Sequence, residues 1–547
     1  MLKFIILIAL CSFCIYVPNS GGKGFELPYN NIIIFWAGIT VLCIAWRQRI
    51  LADSPLSTPL ILIGAGLLFL PWILYSGINS GACVLLFGMI IWYILVSVRL
   101  TPKHKNYILK VIFFASLCQM ALGIIQTFSP MMAKEVMEYN WLINSGRPYG
   151  SFQQVNLFAS FIASGIGCGF IIYLSETRRA YRYLYLLGLG LLSFILVINQ
   201  SRAGLIGEIV TLAIISLLHR KDKSFQIFTA FIVLLLTSLV AWYIKEHVHI
   251  TLGNNSYLLA RDYDSSTHAR WGILTTTFQM ILQKPWSGWG YGNFEYAFSR
   301  WVLMHPQSSF TYSEVVTHPH NELLYAWFQG GIIALSGILI LLAGWIVIVI
   351  RASKMGRTEY SYALLVLPLL AHLCLEYPFY QSYVHFILFI VLLRIGVVDT
   401  VASSSHGHEM TAWRKYGYSA IGILFVCASA AGLYSNNQLT KTERDNFVNF
   451  PTSIPWYFSI QQNRVEFDSM VSLLIAYNFS ADPANLDEFM RRAEKWTSKH
   501  NDKNIYKSMM QILKYQGRTA ELIQLQSTYD KLFPSTNAED NTTQMTQ

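Results

Sequence analysis

The chain predicts an all-α fold: a polytopic helical membrane protein of about 13 transmembrane helices, followed by a small soluble helical domain. Three observations carry this expectation. Of 547 residues, 54% are hydrophobic and only 13% charged, about half the charged share of a soluble domain. Apolar stretches long enough to span a bilayer recur from the start almost to residue 434. Basic residues crowd into every second connection between those stretches.

Taken in order, the expected spans are residues 2–17, 31–46, 59–75, 81–98, 107–128, 156–174, 183–199, 203–218, 225–244, 323–350, 360–375, 384–398 and 416–434. The Met-Leu-Lys start and the apolar run to Val17 resemble a signal peptide. No small-x-small cleavage site follows, so the run is expected to stay as the first span. One set of connections, with Lys3, holds nineteen basic residues. The other short ones hold only Lys23, Lys134, Arg147 and Arg202. Basic residues gather in cytoplasmic loops, which predicts a cytoplasmic N-terminus. The net charge of +10 is then a matter of topology, and no nucleic-acid partner is expected. The eight cysteines lie in or beside apolar segments and are expected to behave as small hydrophobes, without a metal or disulfide framework.

The expected domains are an N-terminal bundle over 1–244, a long outward connection over 245–322 and a second set of spans over 323–434. A helical domain over 435–534 and a disordered tail over 535–547 complete the chain. Within the connection, Trp271, Leu274, Phe278, Ile281 and Leu282 recur at helical spacing. They predict an amphipathic helix from Ala269 to Lys284, lying at the membrane interface or on the bundle. Next comes Pro285-Trp286-Ser287-Gly288-Trp289-Gly290-Tyr291-Gly292, either a structural turn or the wall of a ligand site. Past residue 450, Asp-Pro, Asn-Asp and Gly-Arg breaks divide helical segments near 457–477, 483–500, 503–517 and 519–533. Their apolar spacing resembles tetratricopeptide units or a plain helical bundle.

Polar groups at the outward face form the shortlist for chemistry. Thr317-His318-Pro319-His320-Asn321-Glu322 precedes a long apolar run and either caps it or acts on a ligand. Arg202 sits in the tight turn Asn199-Gln200-Ser201-Arg202-Ala203-Gly204, which has no acidic partner and favours a bound anion. Arg270 either pairs with Asp262 and Asp264 or meets an anion. Glu376-Tyr377-Pro378-Phe379-Tyr380 forms another short outward connection. No Gly-rich phosphate loop ending in Lys supports ATP-driven transport. The two-residue spacing of His318 and His320 argues against a helical zinc site, so no metal is expected. Asp262-Tyr263-Asp264 imitates an acidic metal-holding triplet but lies among exposed polar residues. Two arginines, a histidine and aromatics at a membrane face suit a lipid-anchored diphosphate whose bond to a sugar is broken. The arginines would neutralise the leaving group and an imidazole would take the hydroxyl proton.

Three motifs occur in order: Asn199-Gln200-Ser201-Arg202-Ala203-Gly204; His268-Ala269-Arg270-Trp271-Gly272 running into Lys284-Pro285-Trp286-Ser287-Gly288-Trp289-Gly290; and His318-Pro319-His320-Asn321-Glu322 before Gly330-Gly331. Together they resemble the bacterial O-antigen ligase and polymerase superfamily. The closer likeness is to its protein O-oligosaccharyltransferase branch, the pilin glycosylation ligases. Gly150-Ser151-Phe152-Gln153-Gln154-Val155-Asn156 and Glu376-Tyr377-Pro378 are similar to further elements of that branch, with Val155 where the branch usually has proline. The resemblance implies a Gram-negative inner-membrane enzyme with a periplasmic C-terminus and no cofactor. It would move a preassembled oligosaccharide from undecaprenyl diphosphate to Ser or Thr of a protein such as pilin. By the same resemblance His320 is the base and His318 its auxiliary. Arg202, Arg270, Gln154 and Asn156 would bind the donor, and Tyr377, Tyr380, Glu376 and Asn321 would contact donor or acceptor. Ligation to lipid A core, polymerisation of repeat units and lipid-linked sugar flipping are the alternatives.

Overall fold

The apolar runs become long helices even where glycines, or Pro71 in the run Ser57–Ser76, fall inside them. The computed structural model describes residues 8–9, 11–47, 49–50, 57–76, 80–259, 264–306, 310, 315–399 and 408–534. Residues 2–7 and 10 of the expected first span, Asp262, Tyr263 and the tail from 535 lie outside the described residues.

In chain order the helices begin with α1 (Pro28–Arg47), α2 (Ser57–Ser76), α3 (Ser80–Val96), α4 (Pro102–Phe128) and α5 (Pro130–Met137). Next are α6 (Val155–Ser175), α7 (Arg179–Asn199), α8 (Arg202–His219) and α9 (Ser224–His247). A short antiparallel hairpin pairs His249–Leu252 with Asn255–Leu258. Then come α10 (Asp264–Gln283), α11 (Phe294–Met304), α12 (Glu322–Met355), α13 (Arg357–Leu364) and α14 (Leu367–Leu373). The chain continues with α15 (Tyr383–Gly396), α16 (Ala412–Arg444), α17 (Gln462–Ser480), α18 (Pro483–Thr497), α19 (Lys503–Tyr515) and α20 (Thr519–Leu532). Among the described residues, nine helices (α1, α2, α4, α6, α7, α8, α9, α12 and α16) are long and apolar enough to cross a membrane. Shorter apolar helices, α3 and α15, join them. The protein is a polytopic helical membrane protein.

One expected span is broken. In place of a single helix over 360–375 the chain forms α13 and α14, separated at Leu365 and Val366. Pro368 has no N–H for the Leu364 carbonyl, and its ring would collide with that carbonyl in a continuous helix. The chain restarts instead, with Leu369 N donating to Val366 O at 3.0 Å.

Two compact units result. One comprises Met1–Gly66, Asn79–Asp262 and Gly337–Asn437; the other comprises Leu67–Ile78, Tyr263–Ser336 and Gln438–Gln547. In the first unit α6 is enclosed by α4, α7, α8 and α14. Its small residues allow this. A Cβ on Gly165 would lie 2.1 Å from Ser116 Oγ of α4, so only glycine lets the two helices approach so closely.

The second unit has one core shared by Met280 and Ile281 of α10, Phe294 and Phe298 of α11, Phe328 of α12, and Tyr506 and Leu532 of the last helices. Asp482 and Asp502 start α18 and α19 by accepting backbone N–H bonds. Arg464 grips Glu443 through two bonds of 2.6 and 2.8 Å and also donates to Thr440 at 2.8 Å. The two charged side chains are only 7% and 14% exposed. Arg464→Ala would take the guanidinium from a largely buried carboxylate, and we expect it to lower stability by about 3 kcal/mol. Thermal melting of the purified protein checks this, and a melt within a degree of the unsubstituted protein would contradict it.

Candidate functional site

Three helix N-termini carry most of the residues expected to act, and all three are built alike. Before α6, Gln153 has φ +56°, and Gln154 Oε1 accepts the Leu157 N–H at 2.6 Å. Before α8, Gln200 has φ +60°, and Ser201 Oγ caps the helix through the Gly204 N–H. Before α12, His320 has φ +55°, and Asn321 Oδ1 accepts the Leu324 N–H at 3.0 Å. A left-handed residue lets the chain reverse sharply, and a capping side chain then opens the helix. The conformation costs a non-glycine residue about 1–2 kcal/mol. Such residues persist where the surroundings over-determine them, often at functional sites. Three of the eight non-glycine positive-φ residues described fall on these motifs.

In the first unit, the Gln-x-Asn element and the Glu-Tyr-Pro connection meet. Glu376, 4% exposed, accepts from Asn156 Nδ2 at 2.9 Å and from Gln154 Nε2 at 3.3 Å. Asn156 Oδ1 in turn accepts the Ser201 hydroxyl at 2.8 Å, so the turn that presents exposed Arg202 is tied to the same carboxylate. The loop before α6 is held from α4. Gln126 Oε1 accepts the Tyr149 and Gly150 amides, and Gln119 Oε1 accepts that of Ser151. Asn199 donates to the Pro148 and Val155 carbonyls. Tyr377 and Tyr380 stand with ring centroids 6.0 Å apart.

A second contact lies one helical turn further along the same two segments. Ser160, four residues after Asn156, meets His372 Nδ1 at 2.8 Å, and His372 is four residues before Glu376. His385 of α15 adds a 2.8 Å contact to the Leu157 carbonyl. Sequence reasoning missed this rung, although the four-residue spacing of polar side chains in otherwise apolar helices could have signalled it. It also missed Arg147, whose Nε donates to the Asn199 carbonyl at 2.9 Å. Asn156→Asp would set a second carboxylate against Glu376. We expect a loss of about 1–3 kcal/mol, largely restored by Glu376→Gln in the double variant. Melting of the four proteins of the cycle measures the coupling.

The second unit holds the histidines and Arg270. The rings of His318 and His320 lie 4.2 Å apart. His318 is buried, with Nδ1 3.0 Å from the Thr317 hydroxyl, while His320 and Arg270 are half-buried. His268 is exposed. What steadies His320 is the helix it precedes. α12 breaks at Gly331, whose φ of 61° and ψ of −153° interrupt the ladder. The glycine-and-aromatic turn straps the break. Trp289 N donates to Phe328 O at 2.6 Å, Gly290 N to Gln329 O at 3.0 Å, and Ile332 N to Trp286 O at 3.3 Å. The Trp327 indole donates to the Pro285 carbonyl at 3.0 Å. Burial, and then the Glu322 carboxylate, push the Tyr291 hydroxyl up in pKa, and that hydroxyl donates to Leu68 O at 3.2 Å.

Residues 187–339 match the family described as O-antigen ligase, and residues 361–547 match the C-terminal family of virulence factor membrane-bound polymerases. These matches place the chain with the bacterial O-antigen ligases and polymerases and point to a ligase- or polymerase-type membrane glycosyltransferase. Among its relatives is an O-antigen ligase of Salmonella typhimurium, 22% identical over 387 residues, covering 70% of this chain and 84% of that protein.

Proposed function

We propose that the protein is an O-oligosaccharyltransferase of the protein-glycosylating branch. It moves a preassembled oligosaccharide from undecaprenyl diphosphate to a Ser or Thr hydroxyl of a protein such as pilin. The acceptor oxygen attacks the anomeric carbon, and the bond from that carbon to the diphosphate breaks with its electron pair leaving on the diphosphate. The configuration inverts. His320 takes the hydroxyl proton, with His318 beside it. Arg202 and Arg270 neutralise the departing charge, and Gln154 and Asn156 serve the donor through the carboxylate they hold. Tyr377, Tyr380, Glu376 and Asn321 contact donor or acceptor. In this reading the reaction takes place at the periplasmic side of the inner membrane, with the N-terminus cytoplasmic and the C-terminus periplasmic.

The observation that carries the protein-acceptor reading is the bonding of Gln154 and Asn156 to Glu376. Two elements resembling that branch, 220 residues apart in the Asn156 pair, form one polar cluster. The test is intact-mass analysis of pilin and periplasmic proteins from cells with and without this chain. A glycan mass present only with the chain supports the proposal. The Salmonella relative favours a second reading, ligation to lipid A core. That reading predicts unchanged protein masses and loss of long lipopolysaccharide, which would overturn ours. Polymerisation would instead change chain-length ladders, and a flippase would work without any acceptor hydroxyl.

The chemistry asks for no metal, because a diphosphate is already a good leaving group and the arginines supply the positive charge. We expect transfer in a reconstituted assay to be unchanged by EDTA. A loss that Mn²⁺ or Mg²⁺ restores would revive the acidic triplet at Asp262-Tyr263-Asp264.

A further inference from the structure

Helix α10 is apolar on two opposite faces. Ile273, Met280 and Ile281 point into the core of the second unit. On the other side Trp271, Phe278 and Leu282 are 68%, 43% and 57% exposed, and Trp286, just past the helix, is 75% exposed. The spacing of seven and then four residues places the first three on one helical stripe. Thr275 falls on the same stripe but spends its hydroxyl on the Trp271 and Gly272 carbonyls at 2.9 and 3.0 Å. A soluble loop helix would leave this second face polar.

The occupant of the stripe follows from what it joins. Phe278 meets the Trp327 ring edge-on at 6.2 Å, and the Trp286 carbonyl accepts the Ile332 N–H. Both partners lie on α12, which is apolar enough to cross the membrane. There Leu323, Ile332 and Ile333 are exposed as well. The stripe therefore continues the lipid-facing surface of a spanning helix. Arg270 stands near one end, at a position where a cation reaches phosphate headgroups while tryptophans sit at the interface. At the other end Lys284 Nζ lies over the Trp289 ring, 4.3 Å from its centroid.

We propose that the Trp271–Phe278–Leu282–Trp286 stripe is seated in the bilayer, so that α10 lies in the leaflet that meets the start of α12. Arg270, the neighbour of Trp271, is thereby fixed at headgroup depth. The proposal is independent of which acceptor the enzyme uses.

The test places a diazirine amino acid singly at Trp271, Phe278 and Leu282, and at the flanking exposed polar residues Gln279 and Gln283. The full chain is held in nanodiscs of phosphatidylethanolamine and phosphatidylglycerol, without polyprenyl donor or acceptor. After irradiation, mass spectrometry should find phospholipid adducts at the three stripe positions and water adducts at the two glutamines. Water or intrachain adducts at the stripe would overturn the proposal. A second measurement needs no photoreactive group. Trp271→Phe and Trp286→Phe should each reduce the share of tryptophan emission quenched by acyl-brominated phospholipid, and unchanged quenching would overturn the proposal as well.

Discussion

Replacing His320 by alanine is expected to slow transfer by about 10²–10⁴-fold, the usual contribution of a positioned general base. The measurement is the initial rate of product formation in a reconstituted assay with lipid-linked donor and acceptor protein. Because His320 has φ +55°, a loss on substitution has to be separated from a backbone effect. Asparagine tolerates left-handed backbone but carries no base, so His320→Asn should lose as much as the alanine variant. His320→Gly accepts the same backbone and should regain part of its rate with added imidazole. Normal activity of the asparagine variant would remove His320 from the mechanism. His318→Ala should have the smaller effect.

Gly331→Ala is expected to be the most damaging change to the frame. At φ 61° and ψ −153° the residue occupies a region that is essentially glycine-only, and forcing another residue there costs about 1–3 kcal/mol. A Cβ would also lie 2.0 Å from the Trp286 carbonyl oxygen, and that collision adds to the dihedral cost. We expect a lower melting temperature together with loss of transfer. Gly292→Ala separates the two effects, since Gly292 has φ +76° and nothing within 4 Å of its added Cβ. It should lose only the dihedral part. Equal effects at the two positions would show that contact with the strap is immaterial.

What the sequence made legible was local. Long apolar runs without interruption read directly as helices. Asp482 and Asp502, each followed by an apolar helical pattern, mark real starts. Pro368 and His372 make 360–375 the awkward span, and the structure breaks it at the turn before the proline. The helix α10 was visible from its spacing, but not that its apolar side chains divide between two faces, with Ile281 buried and Trp271, Phe278 and Leu282 exposed. Helix α11 was hidden behind the glycine-and-aromatic turn that introduces it. Its Phe294, Phe298 and Val302 repeat every four residues and all are buried.

At the candidate site, the motif residues were legible one by one. Their mutual contacts were not, because Gln154 and Glu376 are 222 residues apart and no local pattern encodes such a pair. The shared plan of a left-handed residue followed by a cap was equally out of reach. Glutamine has no preference that announces φ above zero, and the enrichment of histidine there is too weak to mark one position, so tertiary packing decides it.

The strap across the broken helix has a consequence for how such an enzyme can diversify. Three of its four bonds run from main chain to main chain, between 286–290 and 328–332, and the fourth uses a single indole. Those three bonds do not depend on which side chains the turn displays. Outward groups such as Trp286 and Ser287 can therefore be exchanged, altering what the turn meets, while the helix that follows His320 keeps its footing.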